Sequence, residues 1–131
     1  MESRRVLADT SLFIEHLRAP DKTQTHLYRL ALKSEVETCS IVAAEIYYGA
    51  RKIESEKQAS AVLAPFIVHP FTAAMAERMS RIVRELRKKN QMQDIRDVMI
   101  AAAALELNVS LATINRAHFE RMPGLRLIKT L

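Results

Sequence analysis

Hydrophobic and polar residues alternate along this chain in two recurring patterns. Some apolar runs are short, as in buried strands, while in the segments between them apolar residues recur every three to four positions, as in amphipathic helices. The predicted strands span residues 4–9, 36–42, 66–71, 109–114 and 125–131. The predicted helices span residues 10–19, 23–34, 43–53, 56–65 and 72–90, an alanine-rich segment that begins at Asp97, and a short turn at 116–121.

The segment 72–90 has the clearest helical pattern. Thr72 is a suitable N-cap, and the apolar residues follow helical spacing at Met75, Met79, Ile82, Val83 and Leu86. The other faces are basic, with Arg78, Arg81, Arg84, Arg87, Lys88 and Lys89. Such a face is either simply solvated or a phosphate-binding surface, and the second interpretation is favoured only if the helix adjoins a catalytic site.

Strands separated by helices throughout the chain indicate βαβ units, and therefore a parallel sheet covered by helices on both faces. We expect an α/β fold of three layers, α/β/α, around a central parallel sheet of four to five strands. A chain of 131 residues can bury a core without disulfides or a structural metal, so residues 1–131 are predicted to form a single domain.

Composition and charge narrow the range of possible functions. No run of 18 apolar residues and no signal-peptide pattern occurs, which favours a cytoplasmic protein without a membrane segment. Cys39 is the only cysteine and lies in an apolar run, so we expect a buried and unreactive thiol. The net charge of +5 is compatible with a polyanionic partner such as nucleic acid.

Three acids lie near the carboxyl ends of predicted strands, where ligands bind in open parallel sheets. Asp9 ends the first strand, Glu45 lies one turn into the helix after the second, and Asp97 starts the helix that leads to the fourth. Each has an ordinary explanation as a helix cap or first-turn acid. Three converging carboxylates, however, would repel one another unless a cation such as Mg²⁺ or Mn²⁺ neutralised them. Such a site suits phosphodiester hydrolysis.

Several motifs resemble, in order and spacing, the PIN-domain family, and most of all the toxin ribonucleases of VapBC-type toxin–antitoxin pairs. They are Asp-Thr-Ser at 9–11, Glu45 with Tyr48 and Gly49, Asp97 with Ile100-Ala101-Ala102, and a closing segment with Thr113, Asn115, Phe119 and Pro-Gly-Leu at 123–125. The resemblance spans nearly the whole chain.

The resemblance implies a residue-by-residue assignment. Asp9 and Asp97 match the main metal-binding aspartates, and Glu45 completes the acidic cluster. Ser11 and Thr113 match hydroxyl residues that orient the acids and the attacking water. Asn115 matches a polar residue at the rim.

The same resemblance implies an activity and partners. Members of the family cut single-stranded or looped RNA with Mg²⁺ or Mn²⁺, and tRNA or another structured RNA is the expected substrate. They are usually homodimers, and a small VapB-like antitoxin lies across the groove. Tyr47, Tyr48, Ile53 and the helix at 23–34 are predicted to help form the antitoxin groove, although core packing also explains Tyr47.

Two positions depart from the family pattern. His118 stands where relatives commonly carry an acid, and it could ligate the metal, protonate the leaving oxygen or simply cover the site. Asn90 and Met92 replace a Gly-x-Pro-Ile turn, a change expected to affect only the loop. Asp94 is either a compensating acid or a solvated loop residue.

Two other classes of function are compatible with parts of the sequence. A receiver-type domain would phosphorylate a strand-end aspartate, but the residues around Asp9 lack the additional acids of such sites. A catalytically impaired RNA- or antitoxin-binding module is the main alternative, and His118 is the feature that favours it.

Overall fold

A computed structural model describes residues 4–129 and residue 131. Four parallel strands form a sheet in the order β3-β2-β1-β4, with β1 at Arg4–Ala8, β2 at Ser34–Cys39, β3 at Ile67–His69 and β4 at Ser110–Ala112. The α-helices are α1 at Thr10–Arg18, α2 at His26–Lys33, α3 at Ser40–Tyr48, α4 at Ile53–Leu63, α5 at Ala73–Lys88 and α6 at Ile95–Leu107. They flank the sheet in a three-layer α/β/α arrangement, as predicted.

Strand β1 lies in the interior of the sheet and fixes the position of the site. It pairs with β2 on one side and β4 on the other, and Val6, Leu7 and Ala8 are completely buried. The Asp9 N–H continues the pairing by donating to the Ala112 carbonyl at 3.1 Å. The chain then turns directly into α1, so Asp9 emerges at the carboxyl edge of the sheet.

Helix α6 approaches the sheet closely because four consecutive alanines face neighbouring elements. Residues 101–104 are fully buried, together with Val98 and Ile100, and α5 packs along the same helix. The prediction that α6 begins at Asp97 is wrong. The helix begins at Ile95 because the Asp94 carboxylate caps it by accepting from the Arg96 N–H, which leaves Asp97 within the first turn.

Other predicted boundaries also shift. The predicted strand 36–42 is β2, which already begins at Ser34 and ends at Cys39, and Ser40 to Val42 form the first turn of α3. The predicted helix 43–53 ends at Tyr48. The predicted helix 23–34 divides into a 3₁₀ turn at Lys22–Gln24 and α2, because Thr25 caps α2 through the Tyr28 N–H.

The predicted last strand, 125–131, is reduced to one parallel bridge between Leu111 and Leu127. Leu111 donates to the Arg126 carbonyl at 2.8 Å and accepts from the Ile128 N–H at 2.9 Å. The pairing partner β4 spans only three residues, which limits the ladder. Residue 130 of this prediction lies outside the described residues.

The basic helix α5 has the predicted Thr72 cap and buried apolar face. Three of its cations form ion pairs: Arg78 with Glu106, Arg81 with Glu77, and Lys88 with Glu85. These pairs favour a solvated face over a dedicated phosphate-binding surface. Within the described part of the chain, no helix is both long and apolar enough to cross a membrane.

Candidate active site

A groove of about 460 Å³ opens at the carboxyl edge of the sheet, where β1, β2 and β4 lead into the segments that follow them. Five of the six site residues predicted from the sequence line this groove. The sixth, Thr113, lies just beneath it and contacts Asp9. The groove is lined by Asp9, Thr10, Ser11, Ile14, Glu15, Arg18, Glu45, Asp94, Arg96, Asp97, Ile100, Ile114, Asn115 and His118.

Asp9 is held rigidly at the floor of the groove. One carboxylate oxygen, Oδ1, accepts from the Ser11 N–H at 3.0 Å and from the Ser11 hydroxyl. The other, Oδ2, accepts from the Thr113 hydroxyl at 2.6 Å. Asp9 is therefore both the N-cap of α1 and a site residue, and the predicted orienting role of Ser11 and Thr113 agrees with these contacts.

The hydroxyls that hold Asp9 are themselves fixed. Ser11 Oγ accepts from the Ile114 N–H at 3.1 Å, and Thr113 Oγ1 accepts from the Asn115 N–H at 2.9 Å. The segment after β4 thus orients Asp9 through its backbone. Burial raises the pKa of the Asp9 carboxyl above its usual value, while these hydrogen bonds oppose the rise.

Asp97 differs from Asp9 in having few partners. No hydrogen bond reaches its carboxylate from the residues that the structure describes, although its side chain is only 19% exposed. His118 Nδ1 lies 3.2 Å from Asp97 Oδ2. Burial raises the pKa of Asp97 from 3.8 to about 6, nearby His118 opposes the rise, and the charges of Asp94, Glu45 and Asp9 add to it.

Glu45 contributes a third carboxylate from α3. Its Oε1 accepts from the Thr10 hydroxyl at 2.8 Å, and its Oε2 lies 3.7 Å from an Arg96 guanidinium nitrogen. Arg96 also contacts the Asp94 carboxylate, with Nε–Oδ1 at 3.2 Å. Both Glu45 oxygens thus already have a partner in the protein.

Two residues of this arrangement were not predicted from the sequence. Thr10 appeared only as part of the Asp-Thr-Ser motif, and Arg96 had no assigned role. Their contacts to Glu45 depend on how α1, α3 and α6 meet, which residue spacing does not reveal. Asp94 was predicted as either a further acid or a loop residue; it is an exposed helix cap whose pKa is lowered by its hydrogen bonds to Arg96.

The carboxylates of the groove have the chemistry that a divalent metal ion requires. The three carboxylates supply hard oxygen ligands, and Asp97 has unused lone pairs in a setting that disfavours its charge. Among the described residues, no three His, Cys, Asp or Glu side chains are grouped closely enough to hold an ion jointly. The residues therefore fit an ion that one or two side chains bind directly and that keeps several waters, as Mg²⁺ usually does.

Comparison with known proteins agrees with this fold. The model of the PIN domain matches residues 6–125. The chain therefore belongs to the PIN-domain family.

The relatives within this family are VapC ribonucleases. Ribonuclease VapC19 of Mycobacterium tuberculosis is 30% identical, over 92% of this chain and 96% of the relative. Ribonuclease VapC2 of Rickettsia felis is 29% identical, over 91% of this chain and 92% of the relative. The chain is accordingly similar to VapC ribonucleases over more than nine-tenths of its length.

Solved structures give the same result. The VapBC2 complex of Rickettsia felis bound to a promoter DNA fragment contains a chain that superposes with a TM-score of 0.78 at 26% identity, covering 95% of this chain and 97% of that chain. DNA-bound VapBC of Salmonella typhimurium gives 0.80 at 25% identity, with the same coverage. Both are toxin–antitoxin complexes.

Proposed function

We propose that this chain is a toxin endoribonuclease that hydrolyses RNA phosphodiester bonds with the aid of Mg²⁺ or Mn²⁺ bound at Asp9 and Asp97. The observation that carries the proposal is the Asp97 carboxylate, which lies in an acidic groove and accepts no hydrogen bond from the part of the chain that the structure describes. A bound cation would compensate for the burial and the neighbouring charges that raise its pKa. The VapC ribonuclease relatives agree with the reaction class.

Each site residue has a role in this proposal. Asp9 would be an ion ligand held in one orientation by Ser11 and Thr113, since its Oδ2 keeps a lone pair beyond the single hydrogen bond that it accepts from Thr113. Asp97 would be the second ligand. A bound divalent ion would polarise the phosphoryl oxygen and lower the pKa of a bound water.

Glu45 and Asn115 would act without direct metal contact. The two Glu45 oxygens are engaged by Thr10 and Arg96, so this acid is better suited to accept a hydrogen bond from the attacking water. Asn115 is exposed at the rim of the groove, where its amide can contact the RNA. This assignment favours one directly bound ion rather than two.

The partner in the proposal is a VapB-like antitoxin. A second, largely apolar groove of about 330 Å³ adjoins the acidic one and is lined by Ile41, Ala44, Glu45, Tyr48, Arg96 and Met99. Tyr48 and Ile53 are 88% and 71% exposed, as expected for apolar residues that a partner covers. The complexes in the similar solved structures support a partner of this kind.

Further parts of the proposal concern the whole molecule. Residues 1–131 would act as one nuclease domain in the cytoplasm, on tRNA or another structured RNA, as a homodimer. Light scattering of the purified chain tests the last point, because a dimer would have a mass near twice 14.9 kDa.

The activity is tested by incubating the purified chain with a panel of tRNAs and structured RNAs in Mg²⁺ and in Mn²⁺. We expect discrete cuts that disappear in EDTA. Asp9→Asn and Asp97→Asn should each lower the rate by at least about a hundredfold, since even residues that only support a metal ligand contribute up to that factor.

Asp94→Asn is the matched control. It makes the same chemical change three residues before Asp97, on an exposed carboxylate at the mouth of the groove, and should lower the cleavage rate far less than Asp97→Asn. Cleavage that persists in Asp9→Asn and Asp97→Asn would refute the proposal. Tight RNA binding without metal-dependent cleavage, unaffected by Asp9→Asn, would favour the impaired binding module.

A further inference from the structure

His118 faces the proposed catalytic acids rather than solvent alone. Its Nδ1 lies 3.2 Å from Asp97 Oδ2, and it lines the groove together with Asp9 and Glu45. The side chain is 54% exposed, so the imidazole is not held there by burial. If His118 only covered the site, its ring nitrogen would not need to lie so close to a carboxylate oxygen.

The contact between His118 and Asp97 differs from the other histidine contacts of the chain. His26 and His69 each make an aligned hydrogen bond to a glutamate, at 2.7 and 2.6 Å. The His118 contact is longer and, among the described residues, no hydrogen bond joins its ring to Asp97. The two atoms are therefore within ion-pair distance of each other, but the ring N–H and the carboxylate oxygen are not aligned for a hydrogen bond.

We propose that His118 Nδ1 and Asp97 Oδ2 are neighbouring ligands of one divalent cation and that the imidazole makes the site prefer Mn²⁺ to Mg²⁺. This inference rests on the proposed metal-dependent function and extends it to the identity of the ion. Two adjacent ligands of an octahedral ion, bound at about 2.1 Å, lie about 3.0 Å apart. The observed separation of 3.2 Å nearly matches this value.

The chemistry of the pair explains the preference. Carboxylate, carbonyl and water oxygens suit both Mg²⁺ and Mn²⁺. The two ions differ toward imidazole, because Mn²⁺, as a first-row transition ion, accepts a nitrogen ligand more readily than the harder Mg²⁺. A neutral imidazole also adds no negative charge to the groove, unlike a carboxylate at the same position. The pair needs no third protein ligand, because waters can fill the remaining positions.

The other groups around the pair do not offer an equivalent ligand. Arg96 and Asp94 form an ion pair with each other at the mouth of the groove, and Glu45 accepts a hydrogen bond from the Thr10 hydroxyl. Asp9 is the remaining acid with a free lone pair, and its fixed orientation is compatible with a contact to the ion through a bound water.

The experiment measures ion binding by the full chain without RNA. Mn²⁺ is titrated and its free form is followed by electron paramagnetic resonance, and Mg²⁺ is then added as a competitor. His118→Gln keeps a polar side chain of similar reach but is a poor ligand, and it should weaken Mn²⁺ binding by about tenfold with little effect on Mg²⁺. His118→Asp should restore binding but shift the preference toward Mg²⁺.

A spectroscopic signature separates ligation from a structural effect. Bound Mn²⁺ in the unaltered chain should show spin-echo modulation from a coordinated imidazole nitrogen, and His118→Gln should lose it. His26→Gln is the matched control, because it alters a histidine paired with another carboxylate of the groove wall, Glu15. It should leave both the affinity and the modulation unchanged.

The outcomes distinguish this inference from the proposed function. Mn²⁺ binding that Asp97→Asn abolishes but His118→Gln leaves unaltered, without nitrogen modulation, would overturn the role of His118 and retain the metal site. Failure of the unaltered chain to bind either ion would overturn both. Loss of modulation and of the Mn²⁺ preference in His118→Gln alone would establish the ligand.

Discussion

Two carboxylates of the molecule, Glu37 on β2 and Asp97 in the first turn of α6, have opposite electrostatic surroundings. Glu37, on β2, is buried and accepts from Arg5 at 2.8 and 2.9 Å and contacts His69 Nε2 at 2.6 Å. Its pKa is lowered, chiefly by the hydrogen bonds from Arg5. Asp97, at the carboxyl edge, accepts no hydrogen bond from the described residues and contacts His118 at 3.2 Å, and burial raises its pKa to about 6.

The difference separates a structural acid from an acid available to a ligand. At Glu37 the protein supplies the compensating charge, so the carboxylate is stable and has nothing left to bind. At Asp97 the compensation is incomplete, and the free energy of ionising the group can be recovered only when a cation binds. Burial of a carboxylate therefore does not by itself indicate a ligand-binding site. A buried carboxylate indicates such a site when the surrounding protein does not fully compensate its charge.

The largest expected effect on stability comes from removing the Glu37 charge. Glu37→Gln should lower the free energy of unfolding by about 2 kcal/mol, because the charge-assisted hydrogen bonds of the buried carboxylate are weakened while Arg5, 45% exposed, stays solvated. RNA cleavage should be retained, since Glu37 does not line the groove. Urea denaturation with a parallel cleavage assay measures both quantities.

The same assay on Asp97→Asn should give the reverse result, with unfolding no easier than in the unaltered chain and cleavage lost. If Glu37→Gln unfolded as the unaltered chain does, the ion pair would contribute nothing to stability and the comparison would fail.

The second effect is a dependence of stability on pH. In EDTA, the unfolded Asp97 carboxyl loses its proton near pH 3.8, whereas the folded one retains it to about pH 6. The folded state therefore binds more protons between these values, and the free energy of unfolding falls as pH rises through this window. The fall due to Asp97 should be about 2 kcal/mol.

Urea denaturation at pH 4 to 7 checks this, and Asp97→Asn is the reference. Asp9, whose pKa is also raised, contributes a fall that persists in the variant. Glu37 acts in the opposite sense: its pKa is lowered, so its stabilisation is present above pH 4.5 and is lost as the pH falls below it. Identical pH profiles of the variant and the unaltered chain would contradict the raised pKa.

The sequence predicted Asp97 as a site residue but indicated no role for Glu37. Asp97 could be predicted because helical periodicity and the positions of strand ends are local properties of the chain, and the family resemblance supported them. Glu37 was part of a predicted strand without any role. Its partners Arg5 and His69 lie on two other strands, and only the register of the sheet brings them together.

The same limit applies to the candidate site, where the sequence predicted which residues meet but not all of their contacts. The predicted acids and hydroxyls around Asp9 meet in or just beneath one groove, because each follows a parallel strand or lies in the first two turns of a helix there. The contacts of Glu45 with Thr10 and Arg96, and the start of α6 at Ile95, depend on helix packing and on capping by Asp94. Neither leaves a periodic signal in the sequence.

The smallest expected effect belongs to Asp94. Asp94→Asn should change the free energy of unfolding by less than about 0.5 kcal/mol, since asparagine caps a helix about as well as aspartate. It also removes one of the charges that raise the pKa of Asp97. The fall in stability between pH 4 and 6 should therefore shrink slightly while the cap remains.

Circular dichroism and the pH series of urea denaturation measure the two parts of this prediction separately. A large loss of helix would mean that the Asp94 charge, and not its hydrogen bond to the Arg96 N–H, sets the start of α6. An unaltered pH profile would mean that Asp97 responds to its own burial alone. In that case the acidic neighbours would contribute little to cation binding, and the contrast with Glu37 would rest entirely on the missing hydrogen bonds.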